Sequence, residues 1–175
     1  MSQFSSSFFI TVTNKMAMEI ESFYTFGPHK ISSKDVFYTT HLSFAFVNLR
    51  PVLPGHVLVC PLREVKRFAD LTTDETNDLW TAAHKISGPL QSYHKAPSLT
   101  FTIQDGTQAG QSVPHVHIHI VPQKVSDYQK NDDINEAIDD SDKKLKQKVD
   151  SDIEWKDRSP EDRAQEAEEY RKFFL

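Results

Sequence analysis

Residues 42–62, LSFAFVNLRPVLPGHVLVCPL, decide the fold class. The run Leu42–Leu49 is rich in aromatic and aliphatic residues and alternates as a strand does; His56–Leu62 reads as a second strand. Between them, Arg50-Pro51-Val52-Leu53-Pro54-Gly55 holds two prolines that deny helix and a glycine free to take positive φ. Two strands joined by so short a turn form an antiparallel hairpin.

Outward from the hairpin, Thr72 or Thr73 caps a helix with Asp74 and Glu75 in its first turn. Leu79, Trp80, Ala83 and Ile86 fall along one face of it, and Gly88-Pro89 is expected to end or kink it. Ser98–Asp105 reads as a third strand and His115–Val121 as a fourth. Past Pro122 the chain is highly charged, with Ile134, Ile138, Leu145 and Val149 spaced through the run. Ser159-Pro160-Glu161-Asp162 combines a cap, a proline at the first helical position and early acids, so a terminal helix starts there, docked through Tyr170, Phe173 and Phe174. The sum is an α+β domain: an antiparallel sheet with one main helix plus C-terminal helices. Residues 1–22 read as a disordered extension, with a targeting peptide as the alternative. Residues 23–130 form the domain. Residues 131–175 are a charged loop and a helical segment that packs on the domain or on a dimer partner.

Composition narrows the function. A chain of 175 residues has room for one core, and no stretch approaches the ~18–20 apolar residues that span a bilayer. A single cysteine, Cys60, excludes an intramolecular disulfide framework and a thiolate-rich zinc site. The net charge of −5 argues against a nucleic-acid groove binder, and neither nucleic acid nor membrane is an expected partner. The expected location is intracellular, first the cytoplasm, with organellar targeting by the N-terminal extension as the alternative. There is no Walker A motif and no GxGxxG, which excludes ATP binding through a P-loop or a Rossmann turn.

Eight histidines remain to be explained, three of them in HVHIHI. At a strand period of two, Val116, Ile118 and Ile120 point to the core while His115, His117 and His119 share the opposite face. Residues i and i+4 on a strand lie about 13 Å apart, so all three rings cannot meet on one ion. A pair of neighbouring histidines with His56 as a third ligand could still bind zinc. Phosphate-ester chemistry is the stronger reading. A neutral imidazole is a nucleophile at physiological pH, and neighbouring donors neutralise the oxygens of a transferring phosphoryl group. The preceding loop, Asp105–Pro114, supplies two glycines, backbone N–H groups, and the Gln111 and Ser112 side chains.

NLRPVLPGHVLVCPLR, LTTDET and TIQDGTQAGQSVPHVHIHIVP together resemble the histidine triad superfamily, and within it the fragile histidine triad branch of diadenosine triphosphate hydrolases. The resemblance runs from about Phe23 to the terminal aromatic helix. It implies a homodimer that cleaves a dinucleoside polyphosphate or another adenylyl substrate, adenosine phosphosulfate included. It implies no tightly bound cofactor, with Mg2+ or Mn2+ arriving on the polyphosphate. By the same resemblance His117 is the nucleophile, the His115 carbonyl orients it, His119 holds the scissile-region phosphate, and His56 supports the triad. Gln104, Gln111 and Ser112, with the backbone from Gly110 to Val113, are implied phosphate and ribose contacts. Asn48 is an implied ribose contact, and His29 a contact at the pocket mouth. Four positions depart from the branch pattern: Ser112 for Thr, Gln123 for Arg, Asn135 for Tyr, and Pro89 within a normally continuous helix. A competing reading from another class is a dinucleotide-binding signalling module with slow turnover.

Overall fold

The computed structural model describes residues 22–125, 127, 134, 136–140 and 157–175. The expectations for the N-terminal extension before residue 22 and for Asn135, Leu145 and Val149 lie outside the described residues.

The hairpin of residues 42–62 is the centre of the sheet. β4 (Ser43–Val47) and β5 (Val57–Pro61) pair antiparallel, from Ser43 opposite Pro61 to Val47 opposite Val57. With β3 (Val36–Thr39), β6 (Ser98–Thr102) and β7 (Ile118–Gln123) they form a five-stranded sheet in the order β3-β4-β5-β7-β6. β1 (Phe23–Phe26) and β2 (His29–Ser32) form a separate antiparallel hairpin.

Register determines which residues share a face. Val36 opposes Phe46, Phe46 opposes Leu58, and Leu58 opposes His119, so these four make one row across the sheet. On that face Val36, Phe44, Phe46, Leu58 and Cys60 pack with Phe26 and Val113 into a second core. On the other face Ala45, Val47, Val57, Val59, Ile118 and Ile120 join the main core with helix α1.

α1 spans Thr73–His94 and begins in a capping box: Thr72 Oγ1 accepts from Glu75 N, and Glu75 Oε2 accepts from Thr72 N. It runs through Pro89, where the sequence suggested an end or a kink. The lost backbone bond costs about 3 kcal/mol in an isolated helix. Here Leu79, Ala82, Ala83, Ile86 and Leu90 form one buried stripe that continues across the proline, and that burial holds the helix. Trp80, assigned to the buried face from sequence, is exposed; the stripe passes through Leu79, Ala82 and Ala83 instead.

All four strands read from the sequence are shorter than expected, the last two most consequentially. β6 stops at Thr102 rather than Asp105, and β7 starts at Ile118 rather than His115. Residues 115–117 lie outside the ladder because their polar groups are engaged elsewhere: Val116 N donates to Val65 O at 2.7 Å. The terminal helix α2 (Pro160–Arg171) is capped by Ser159 Oγ, which accepts from Asp162 N. Its Tyr170 is fully buried in the main core, with Phe173 and Phe174 packed against it. The Tyr170 hydroxyl lies 2.6 Å from Nε2 of His94, joining the end of α1 to α2.

Candidate active site

The histidines occupy the face opposite α1, as the alternation indicates, but that face is not open. His115, His117 and His119 are all fully buried, and the β1–β2 hairpin brings Phe26 against the first two. The Phe26 ring meets His117 edge-on at 5.1 Å between centroids and His115 at 5.7 Å.

Backbone groups fix the tautomers, since a carbonyl only accepts and an N–H only donates. His115 Nε2 donates to Pro61 O at 2.9 Å, and His115 Nδ1 accepts from Gly27 N at 3.3 Å. His117 Nδ1 donates to His115 O at 2.7 Å, which leaves the lone pair of the neutral ring on Nε2. Val52 N donates to His56 Nδ1 at 3.3 Å, so the proton of neutral His56 sits on Nε2 and goes to His119 Nδ1 at 2.9 Å. Neutral His119 then carries its own proton on Nε2. That atom is buried and has no partner among the described residues. Burial, reinforced by the neighbouring His117 and His56, holds the His119 pKa well below the usual imidazole range, and burial lowers that of His115. Both rings are neutral at physiological pH.

The loop before β7 is held at both ends. Arg67 grips Asp105 with two bonds of 3.0 and 3.2 Å, and Phe68 N donates to the same carboxylate. Gln111, which the resemblance implies as a phosphate or ribose contact, has hydrogen bonds at both ends of its amide. Its Oε1 accepts from Gly106 N at 3.0 Å, and its Nε2 donates to Lys66 O at 3.1 Å and to His115 O at 3.4 Å. Among the described residues, Ser112 Oγ and Gln104 Oε1 are buried without partners, like His119 Nε2. These are the atoms a phosphate or sugar would satisfy. Gln104 Nε2 donates to Asp139 Oδ1, from a helical turn at 136–140. Gly110 lies in the left-handed region at φ 91°, and a Cβ there would come within 2.5 Å of Asp139 Oδ1 and 2.7 Å of Gln104 Nε2.

Beside His117 opens a cleft of about 190 Å3. His29 and Asn48, singled out from sequence, both line it. Asn48 is buried, with Nδ2 3.3 Å from His56 Nδ1 and Oδ1 accepting from Arg50 N at 3.0 Å. The sequence reading missed the apolar walls, Phe26, Ile31, Phe46 and Leu58, and the charged pair Asp35 and Arg163. The alternation in SFAFV marked Phe44 and Phe46 as sharing a face, but nothing local said which face meets a ligand. Among the described residues, no three His, Cys, Asp or Glu side chains are arranged to hold a metal ion. The geometry thus offers a nucleophilic Nε2 on His117, a donor on His119, and Gln104 and Ser112 oxygens without partners among the described residues. An apolar slot of nucleoside size adjoins them.

Comparison with known proteins agrees with this geometry. A family model described as HIT domain matches residues 30–126. The chain is 58% identical over 165 residues to a bifunctional bis(5'-adenosyl)-triphosphatase/adenylylsulfatase of Arabidopsis thaliana, covering 94% of this chain and 91% of the relative. It is 54% identical over 113 residues to a bis(5'-adenosyl)-triphosphatase of Dictyostelium discoideum, covering 65% and 76%. Among solved structures, it resembles the C. elegans NitFhit protein with a TM-score of 0.70 and 39% identity, over 89% of this chain and 31% of that one. It also resembles the Plasmodium falciparum diadenosine triphosphate hydrolase, with a TM-score of 0.59 and 34% identity, over 73% and 87%.

Proposed function

The chain belongs to the HIT domain family, and from that membership and the site we propose how it works: it is a nucleotidyl hydrolase that cleaves diadenosine triphosphate to AMP and ADP through His117. The observation that carries the reading is the 2.7 Å bond from His117 Nδ1 to His115 O, which turns the Nε2 lone pair into the nucleophile. His117 Nε2 attacks the α-phosphorus, an N–P bond forms, and the P–O bond to the departing ADP breaks. Water then attacks the same phosphorus, releases AMP and returns the ring. Splitting the displacement in two lowers each barrier.

His119 Nε2–H and Ser112 Oγ–H supply donors to the equatorial oxygens, where negative charge concentrates. His56 acts behind His119, keeping it a donor. Adenosine phosphosulfate presents the same adenylyl phosphorus with sulfate as leaving group, so the same residues serve the adenylylsulfatase reaction. We further propose that divalent ions such as Mg2+ or Mn2+ enter with the polyphosphate, and that the chain forms a homodimer. β6 is an edge strand with an exposed Phe101, which favours pairing with a second copy. The test of the reaction is His117→Asn, which keeps size and polarity. Its turnover of diadenosine triphosphate should fall by about 10³-fold or more; turnover near that of the wild type would sink the covalent route.

A further inference from the structure

The cleft beside His117 has a far end that the reaction does not use. Its apolar walls suit the two faces of a flat ring. Asp35 and Arg163 are also part of its lining. Asp35 precedes Val36, and Val36 stands at the other end of the row Val36–Phe46–Leu58–His119 from the catalytic histidines. Three strand spacings separate those ends, about 14 Å.

Arg163 arrives from the first turns of α2. Its Nε donates to Asp35 Oδ2 at 2.9 Å and its Nη1 to Arg158 O at 2.8 Å. The two side chains are only 16% and 8% exposed. A buried ion pair is a weak source of stability, because desolvation consumes most of the Coulombic gain. Its place in the lining of a nucleoside-sized slot gives it another use. The bonds engage Nε, Nη1 and Oδ2. Among the described residues they leave Nη2 of Arg163 and Oδ1 of Asp35 without a partner, on two residues that both line the cleft.

We propose that Asp35 and Arg163 read the base and make the enzyme adenine-selective. The inference rests on the proposed function, since it assigns the base end of the same substrate. Oδ1 of Asp35 accepts from the exocyclic amine of adenine, and Nη2 of Arg163 donates to N7 on the same edge, an acceptor in adenine and guanine alike. Guanine carries a carbonyl oxygen where adenine has that amine. Two lone-pair oxygens then face each other in a site sheltered from water. A buried site built for one hydrogen-bond pattern rejects the other because its own groups go unpaired.

The test measures equilibrium binding of AMP and GMP to the full chain, with kcat/KM for diadenosine and diguanosine triphosphate. The wild type is expected to favour the adenine nucleotide by about tenfold or more in both. Asp35→Asn, whose amide N–H can turn toward the guanine carbonyl, should bring both ratios to within about threefold. Equal binding of AMP and GMP by the wild type overturns the proposal, whatever the variant's stability. So does an unchanged ratio in folded Asp35→Asn. If the pair only straps α2 to β3, the variant's melting temperature falls while the ratio stays. Failure of the wild type to hydrolyse either dinucleotide would defeat the proposed function instead, and nucleotide binding would still judge the base-reading pair on its own.

Discussion

Nε2 of His56 stands 2.9 Å from Nδ1 of His119, and this bond makes His119 a donor toward the substrate. The direction is set further back, by Val52 N on His56 Nδ1. A backbone amide thus determines, two rings away, which nitrogen faces the phosphate. His119→Ala should lower kcat for diadenosine triphosphate by about 10²–10³-fold, the range for loss of one transition-state donor, with a smaller change in KM. Steady-state kinetics on the folded variant check this. A rise in KM alone would mean that His119 holds ground state and transition state equally.

Burial lowers the folded-state pKa of His115 and of His119 below the ordinary value near 6.5. As pH falls below about 6.5 the unfolded chain takes up protons first, so it binds more protons than the folded one and stability declines. The contribution is complete above that pH and is lost as pH falls toward the folded pKa values. The melting temperature should therefore decrease from about pH 6.5 to pH 5, and His119→Gln should flatten part of that slope. A melting temperature that rises over this interval would contradict neutral buried rings.

Pro89 interrupts the hydrogen-bond ladder of α1 without ending it. Pro89→Ala restores an N–H on a partly exposed turn and should stabilise the fold by about 1–3 kcal/mol, read from chemical denaturation. At the other end of the helix, Glu75 accepts from Thr72 N and from two nitrogens of Arg63 at 2.7 Å, which depresses its pKa to about 2. That contribution is complete above the ordinary carboxylate range and is lost as pH falls toward 2. Glu75→Gln should cost about 1–2 kcal/mol at neutral pH and weaken the acid dependence.

Asp139 places a carboxylate on Gln104, next to the loop proposed to receive a polyanion. Asp139→Asn removes that charge while keeping a partner for the amide. It should lower KM for diadenosine triphosphate by about two- to fivefold with kcat little changed. An unchanged KM across low and moderate salt would show that the carboxylate lies outside the field of the phosphates.

The parts legible in sequence were those where local chemistry and global fold agree. The central hairpin, the cap at Thr72, the cap at Ser159 and the placement of the three histidines opposite Ile118 and Ile120 follow from period and turn residues. Local reading failed where a tertiary contact outweighed a local preference. Pro89 is carried by the burial of Leu90, and His115 leaves the ladder because Val116 N bonds to Val65 O. The cleft was legible only in part. His29, Asn48, Val113 and His117 came from motifs, whereas Asp35 and Arg163 are 128 positions apart and meet only once α2 packs on β3. Gln111 adds a tie that no local pattern shows: its amide joins Gly106 N to Lys66 O, 45 positions away.

The central claim is that His117 carries the adenylyl group between the two displacements. Mixing enzyme with diadenosine triphosphate, quenching in alkali to preserve the acid-labile N–P bond, and mapping tryptic peptides by mass tests it directly. The peptide spanning residues 96–124 contains all three triad histidines. It should gain the mass of one adenylyl group, with fragmentation placing the group on His117, and the adduct should vanish in His117→Asn. An adduct on His115 or His119, or rapid turnover by His117→Asn, would contradict the account.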